Sequence, residues 1–200
     1  MSDPARIQTI ELALADYLRR WPEEAETVSR IRELLGGWPQ CLERTHTPGH
    51  LTASAWVVDP TGTEVVLTHH RKLDIWVQLG GHADGDPDLP AVARREVLEE
   101  SGLEDVQEIA DPWWIFDADV HPIPAYRQTP AHYHYDIRFA FRAIRREELV
   151  ISDESHDVQW VALADLEGYT REASMLRMAR KWQELRPALL TGRDSVYPAP

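Results

Sequence analysis

Residues 96–106 read EVLEESGLEDV and follow directly on Arg94 and Arg95. At about 3.6 residues per turn, Glu96, Glu99 and Glu100 share one face of a helix, while Val92, Val97 and Leu103 serve its packed side. Gly102 supplies the left-handed stop. Like charges three and four positions apart repel by roughly a few tenths of a kcal/mol per pair, so the grouping needs a reason. One reading is a divalent cation between the carboxylates. Mg²⁺ and Mn²⁺ are hard ions that take a few carboxylates and complete their shell with water or phosphate oxygen. The other reading is a solvated acidic helix face. Spacing leaves both open.

Outward from this helix the chain alternates strands and helices. Upstream, IWVQL (75–79) leads into Gly80-Gly81, and HLTASAWVVDPTGTEVVLTHH (50–70) reads as two strands around an Asp-Pro-Thr-Gly turn. Before them, residues 4–36 carry Ile7, Ile10, Leu14 and Leu18, then Val28, Ile31, Leu34 and Leu35, at helical period. Trp21-Pro22 breaks this pattern and Gly36-Gly37 stops it. Downstream, strands are expected near 105–116, 132–143 and 156–161, a long loop over the Pro-containing stretch 120–131, and a closing amphipathic helix in EASMLRMARKWQELRPALL (172–190). The expected organisation is an N-terminal helical extension (1–45), a main domain (46–190) and a C-terminal tail (191–200). The apolar stripes of the terminal helices favour burial, against the domain or across a homodimer.

The chain has 200 residues, 43% hydrophobic and 28% charged, enough for one ordinary globular domain with an extension. A net charge of −13 argues against nucleic acid as the main partner, because that binding is driven by Lys and Arg on phosphates. Cation-mediated phosphate binding is still compatible with it. The single cysteine, Cys41, excludes an intramolecular disulfide and fits a reducing compartment. The opening MSDPARIQTIELALADYLRR has no unbroken apolar run, so no membrane span or signal peptide is expected and the cytoplasm is the expected location.

The stretch Gly81–Leu103 resembles the signature box of the Nudix hydrolases. Its closing half stands as Arg95-Glu96-Val97-Leu98-Glu99-Glu100-Ser101-Gly102-Leu103, with Gly81 at the box's glycine position. One position departs: Pro87 stands where the box has its first glutamate, which in the family supports the motif arginine. Asp86 or Asp88 can substitute in that support. The resemblance implies an α/β fold, an α/β/α sandwich around a mixed sheet, here with an N-terminal helical extension. It implies Glu96, Glu99 and Glu100 as ligands of Mg²⁺, or Mn²⁺ in its place, with the Gly80 carbonyl as a further ligand and Arg95 orienting the glutamates. The implied reaction is hydrolysis of the diphosphate linkage of a nucleotide-type small molecule by metal-activated water. The general base comes from Glu99 or Glu100 in the box or from a later loop, where Glu154 in ISDESHDVQW is the candidate. Glu154 read alone is equally a solvent-exposed loop acid.

Histidines are the second feature. In AHYHYDIRF (131–139) alternate residues share a face, so His132, His134 and Asp136 point one way and Tyr133 and Tyr135 the other. These imidazoles, with His82 beside the box glycine, His121, and Arg127 or Arg138, are candidate substrate contacts. Their plainer reading is polar alternation on a half-exposed strand. A transition-metal site draws little support from the sequence, which offers neither cysteine ligands nor a compact histidine motif. Trp113, Trp114 and Phe116 are either a base-stacking surface or core. Two other functions stand beside hydrolysis: a non-catalytic nucleotide or ADP-ribose sensor, and an isomerase on the same fold. The intact box glutamates disfavour the first, and the placement of Cys41 in the N-terminal segment disfavours the second.

Overall fold

A computed structural model describes residues 3–190; the expected tail 191–200 lies outside the described residues. The chain opens with α1 (Asp3–Arg20) and α2 (Ala25–Leu35). Between them Pro22 starts a short 3₁₀ turn, since proline lacks an N–H and pushes Trp21 out of the helical region. The strands are β1 (Gly49–Val58), β2 (Glu64–His70), β3 (Ile75–Val77), β4 (Leu79–His82), β5 (Val106–Glu108), β6 (Asp117–Ile123), β7 (His132–Ala143) and β8 (Ser155–Ala162). Helix α3 (Leu89–Ser101) separates β4 from β5, and α4 (Leu166–Tyr169) and α5 (Ala173–Leu190) follow β8. The fold is mixed α/β with one mixed sheet and flanking helices. Among the described residues no helix is long and apolar enough to cross a membrane.

Two compact units divide the chain, with β1, α3 and β7 each contributing residues to both. The first holds residues up to Ser54, Gly80–Glu96 and Pro112–Phe139. In it β6 pairs antiparallel with β7, from Asp117 opposite Arg138 to Ile123 opposite His132. The N-terminal helices pack here: the Tyr17 hydroxyl accepts from the Ala118 N–H at 3.1 Å, Arg20 donates to the Ile115 carbonyl at 2.8 Å, and the Arg20 guanidinium lies 4.4 Å from the Trp114 ring. Ile10, Leu14, Tyr17, Val28 and Ile31 are all buried. Along β1 every residue is buried. Its two faces still differ: His50, Thr52 and Ser54 share one side, Leu51 and Ala53 the other.

The second unit holds Ala55–Leu79, Val97–Asp111 and the residues from Ala140 on. Here β2 runs antiparallel to β8, with Glu64 opposite Ala162 and Thr68 opposite Val158, and β5 closes on the end of β7. Helix α5 buries Met175, Met178 and Trp182, and the Trp182 indole donates to the Gly62 carbonyl at 2.9 Å in the turn between β1 and β2.

The stretch expected to be a long loop over 120–131 is instead partly strand. β6 reaches Ile123, and the remaining connection carries a Tyr126–Thr129 bridge. The prolines misdirect the reading: β6 pairs with β7 alone among the described strands, so the missing N–H of Pro122 removes no second ladder. The strand expected over 105–116 is correspondingly short, Val106–Glu108.

Candidate active site

Helix α3 buries Leu89, Val92, Ala93 and Val97, while Glu96 is half-buried beside them and Glu99 is exposed at the edge of that face. Glu100, one turn beyond Glu96, is 7% exposed. At Gly102 the backbone turns left-handed (φ 73°), and its N–H closes on the Leu98 carbonyl at 2.9 Å. Glycine is required there because φ > 0 is strained for other residues.

Strand β4, which leads into the loop before α3, is shaped around two glycines. A Cβ on Gly81 would lie 2.5–2.6 Å from the Glu96 carboxyl atoms, and one on Gly80 would lie 2.8 Å from the Ser54 Cα. The bare backbone therefore lets the Glu96 carboxylate lie directly on β4 at Gly81. Arg95 stands between two acids, 3.7 Å from Asp86 and 3.8 Å from Glu96. Asp86 also accepts from the Asp88 N–H at 2.9 Å, and Asp88 meets Arg6 of α1 at 3.4 Å. Thus Asp86 reaches the arginine that Pro87 cannot support. These pairs are long and partly exposed, so their worth is orientation; such contacts contribute about 0–1 kcal/mol. The oxygen donors on α3 suit a hard divalent cation rather than a thiophilic one.

A second cluster stands in the first unit. His50 of β1, His82 of β4 and His134 of β7 place ring nitrogens within 4.8 Å of one another. The His132 ring stacks on His50 with centroids 4.9 Å apart, and His121 meets His134 edge-on at 5.6 Å. Burial, with the neighbouring imidazoles of His82 and His132, pulls the His50 pKa down to about 4, and burial pulls His134 down to about 2. Both rings are neutral at pH 7. Sequence reasoning grouped His132 with His134 correctly by strand alternation but passed over His50, whose place in an otherwise apolar strand carries no local signal. Its polar partners at alternate positions, Thr52 and Ser54, were the available clue.

Arg138 has another occupation. It is 2% exposed and donates to Asp136 at 2.6 Å, Asp117 at 3.0 Å and Asp119 at 3.4 Å. Asp136 in turn accepts from Thr52 and Ser54 at 2.9 and 2.8 Å. This guanidinium is structural, held by carboxylates and turned away from any phosphate role. Arg127 lies exposed on the β6–β7 connection with φ 52°, its guanidinium 5.1 Å from the Tyr126 ring. Glu154 is exposed in the turn before β8, where its carbonyl accepts from the Arg71 N–H at 3.0 Å. Trp114 is buried against Arg20 and Phe116, and Trp113 is half-buried against Phe139.

The NUDIX domain family model matches residues 48–181 of the chain. The chain belongs to the Nudix family. It is accordingly a hydrolase of acid anhydrides in phosphorus-containing compounds. No curated protein matches this Nudix chain. Among solved structures it is similar to the C. elegans Ap4A hydrolase binary complex, with 17% identity, TM-score 0.55, and coverage of 69% of this chain and 98% of that one. It is also similar to the E. coli dihydroneopterin triphosphate pyrophosphohydrolase, with 13% identity, TM-score 0.51, and coverage of 66% and 92%. At such identities the likeness is one of fold, and it bears out the Nudix-type sandwich with helices added at the N-terminus. Helices α1 and α2 lie outside the matched residues.

Proposed function

We propose that this Nudix chain hydrolyses the diphosphate linkage of a nucleoside diphosphate derivative, such as ADP-ribose, a nucleotide sugar or a nucleoside triphosphate, with Mg²⁺ as its ion and Mn²⁺ as a substitute. The observation that carries the reading is the Glu96 carboxylate lying on Gly81 at the entry to α3, with Glu99 and Glu100 following on the same helix. Glu96, Glu99, Glu100 and the Gly80 carbonyl would hold the ion. When bound, such an ion neutralises charge on phosphate oxygens and eases deprotonation of water.

The remaining work falls to the chain's own side chains. Arg95 keeps Glu96 turned toward β4 by pairing with it and with Asp86. Glu99, exposed on α3, is proposed as the general base, with Glu154 as the alternative on its turn. Substrate contacts are proposed for His121, His132 and Arg127. The cytoplasm is the proposed location.

The test is product release from a panel of nucleoside diphosphate derivatives with Mg²⁺ and Mn²⁺, comparing wild type with Glu99→Gln and Glu100→Gln. Turnover that falls at least about a hundredfold in both variants, the scale of losing one charge-stabilising group, supports the reading. Binding of a panel member without turnover by wild type would end the proposed substrate assignment. A Glu154→Gln variant that retains kcat assigns the base to α3.

A further inference from the structure

Three strands each send one imidazole to a single place: His50 from β1, His82 from the end of β4 and His134 from β7, with ligand-capable nitrogens all within 4.8 Å. His50 is 1% exposed; neither of its ring nitrogens has a partner at full hydrogen-bond geometry, and the His46 carbonyl is the backbone group that acts on the ring. Buried polar atoms are nearly always satisfied, and leaving one without a partner costs roughly 1–3 kcal/mol. Stacking on His132 uses the faces of the ring and leaves the in-plane lone pair of the unprotonated nitrogen unanswered. What the position lacks is an acceptor of lone pairs lying in the plane of several rings at once. A metal cation meets that need, because it spreads its charge over all the donors.

We propose that His50, His82 and His134 form a site for one transition-metal ion, Zn²⁺ by preference. The donor set decides the class. It is all nitrogen, which suits zinc and its first-row neighbours, whereas Mg²⁺ seeks oxygen. Nitrogens bound to a tetrahedral zinc at about 2.0–2.1 Å stand about 3.3–3.4 Å apart, so a side-chain adjustment of the three rings closes the shell. The neighbouring ring is already at that spacing: His132 Nε2 lies 3.3 Å from His134 Nε2. His132 Nδ1 sits 2.9 Å from the Pro130 carbonyl, an arrangement in which Nδ1–H donates and Nε2 keeps its lone pair. His132 thus stands beside the three-ligand shell, leaving the fourth position to water or a substrate group. Next to it, His121 Nδ1 is 3.0 Å from Asp119, whose other tie is to Arg138 at 3.4 Å. The site fixes three strands at one point and depends on none of the α3 carboxylates.

The experiment uses the full chain without an affinity tag, stripped with chelator and titrated with Co²⁺ as a spectroscopic stand-in for zinc. The expected result is one equivalent bound with the intense visible absorption of tetrahedral Co²⁺, displaced by Zn²⁺ and unaffected by millimolar Mg²⁺. His82→Gln and His134→Gln should each weaken it about a hundredfold or more, since losing even an outer partner costs 10–100-fold. Glu96→Gln should leave it in place, and this control separates the proposal from the Mg²⁺ reading. X-ray absorption of the zinc-loaded wild type supplies a check that no variant's folding can disturb: a nitrogen shell with imidazole scattering is expected. Absence of stoichiometric binding, equal binding by both histidine variants, loss in Glu96→Gln with retention in His82→Gln, or an oxygen shell would each overturn the site.

Discussion

Arg138 shows how much one buried side chain can hold. Its guanidinium answers three aspartates, two of them almost fully enclosed. Removing the cation would leave buried carboxylates facing each other, the situation in which loss of one partner costs about 3–5 kcal/mol. Arg138→Met is expected to fall in that range by urea denaturation, whereas Asp119→Asn, at the partly exposed end, should stay below about 1 kcal/mol. Gly81 makes a different prediction. A Gly81→Ala methyl would collide with the Glu96 carboxyl at 2.5–2.6 Å, so kcat should drop at least about tenfold with only a small fall in Tm. An unchanged kcat would show that Glu96 does not need the bare backbone of β4. The α3 glutamates were legible in sequence because their relation is set within one helix. His50 was not, because its neighbours come from residues 82, 132 and 134, and only strand register brings them together.

The turn between β1 and β2 carries the clearest pH prediction at the level of an element. Asp59 is 4% exposed, and although burial alone would raise its pKa, hydrogen bonds from the Glu64, Thr61 and Thr63 N–H groups and the Thr61 hydroxyl hold it below the usual carboxylate value. A folded pKa below the unfolded one means that the unfolded chain binds the proton more readily. Stability from Asp59 is therefore full above the unfolded value near 3.8 and is lost as pH falls below it. Asp59→Asn should destabilise by about 1–3 kcal/mol at pH 7, and the gap to wild type should narrow near pH 3 in paired urea titrations. A gap independent of pH would sink this account. The Asp-Pro-Thr-Gly turn itself was readable from local chemistry. β6 was not: Pro122 and Pro124 argue for a loop in any single-sequence reading, and only the edge position of the strand makes the first of them harmless.

At the scale of the molecule, the N-terminal helices are part of the first unit's core. Tyr17 donates its hydroxyl to Glu24 and receives the Ala118 N–H, and Arg20 ties α1 to Ile115. Deleting residues 1–36 would uncover Ile115, Phe116 and Ala118 together. Tm is expected to fall by on the order of 10 °C or more, at about 2–4 °C per kcal/mol for a chain of this size; a truncated chain with wild-type Tm would make the helices dispensable. The sequence revealed their apolar stripes but not the surface they cover. The same contacts also impose an order in time. Tyr17 reaches Asp117 across 100 residues of chain. At roughly 5–20 residues per second of synthesis, the two helices leave the ribosome about 5–20 s before the strand that will cover them exists. Through that interval their apolar faces are open to other chains, so the nascent protein is a natural client for a chaperone, and the window closes only once β6 has emerged.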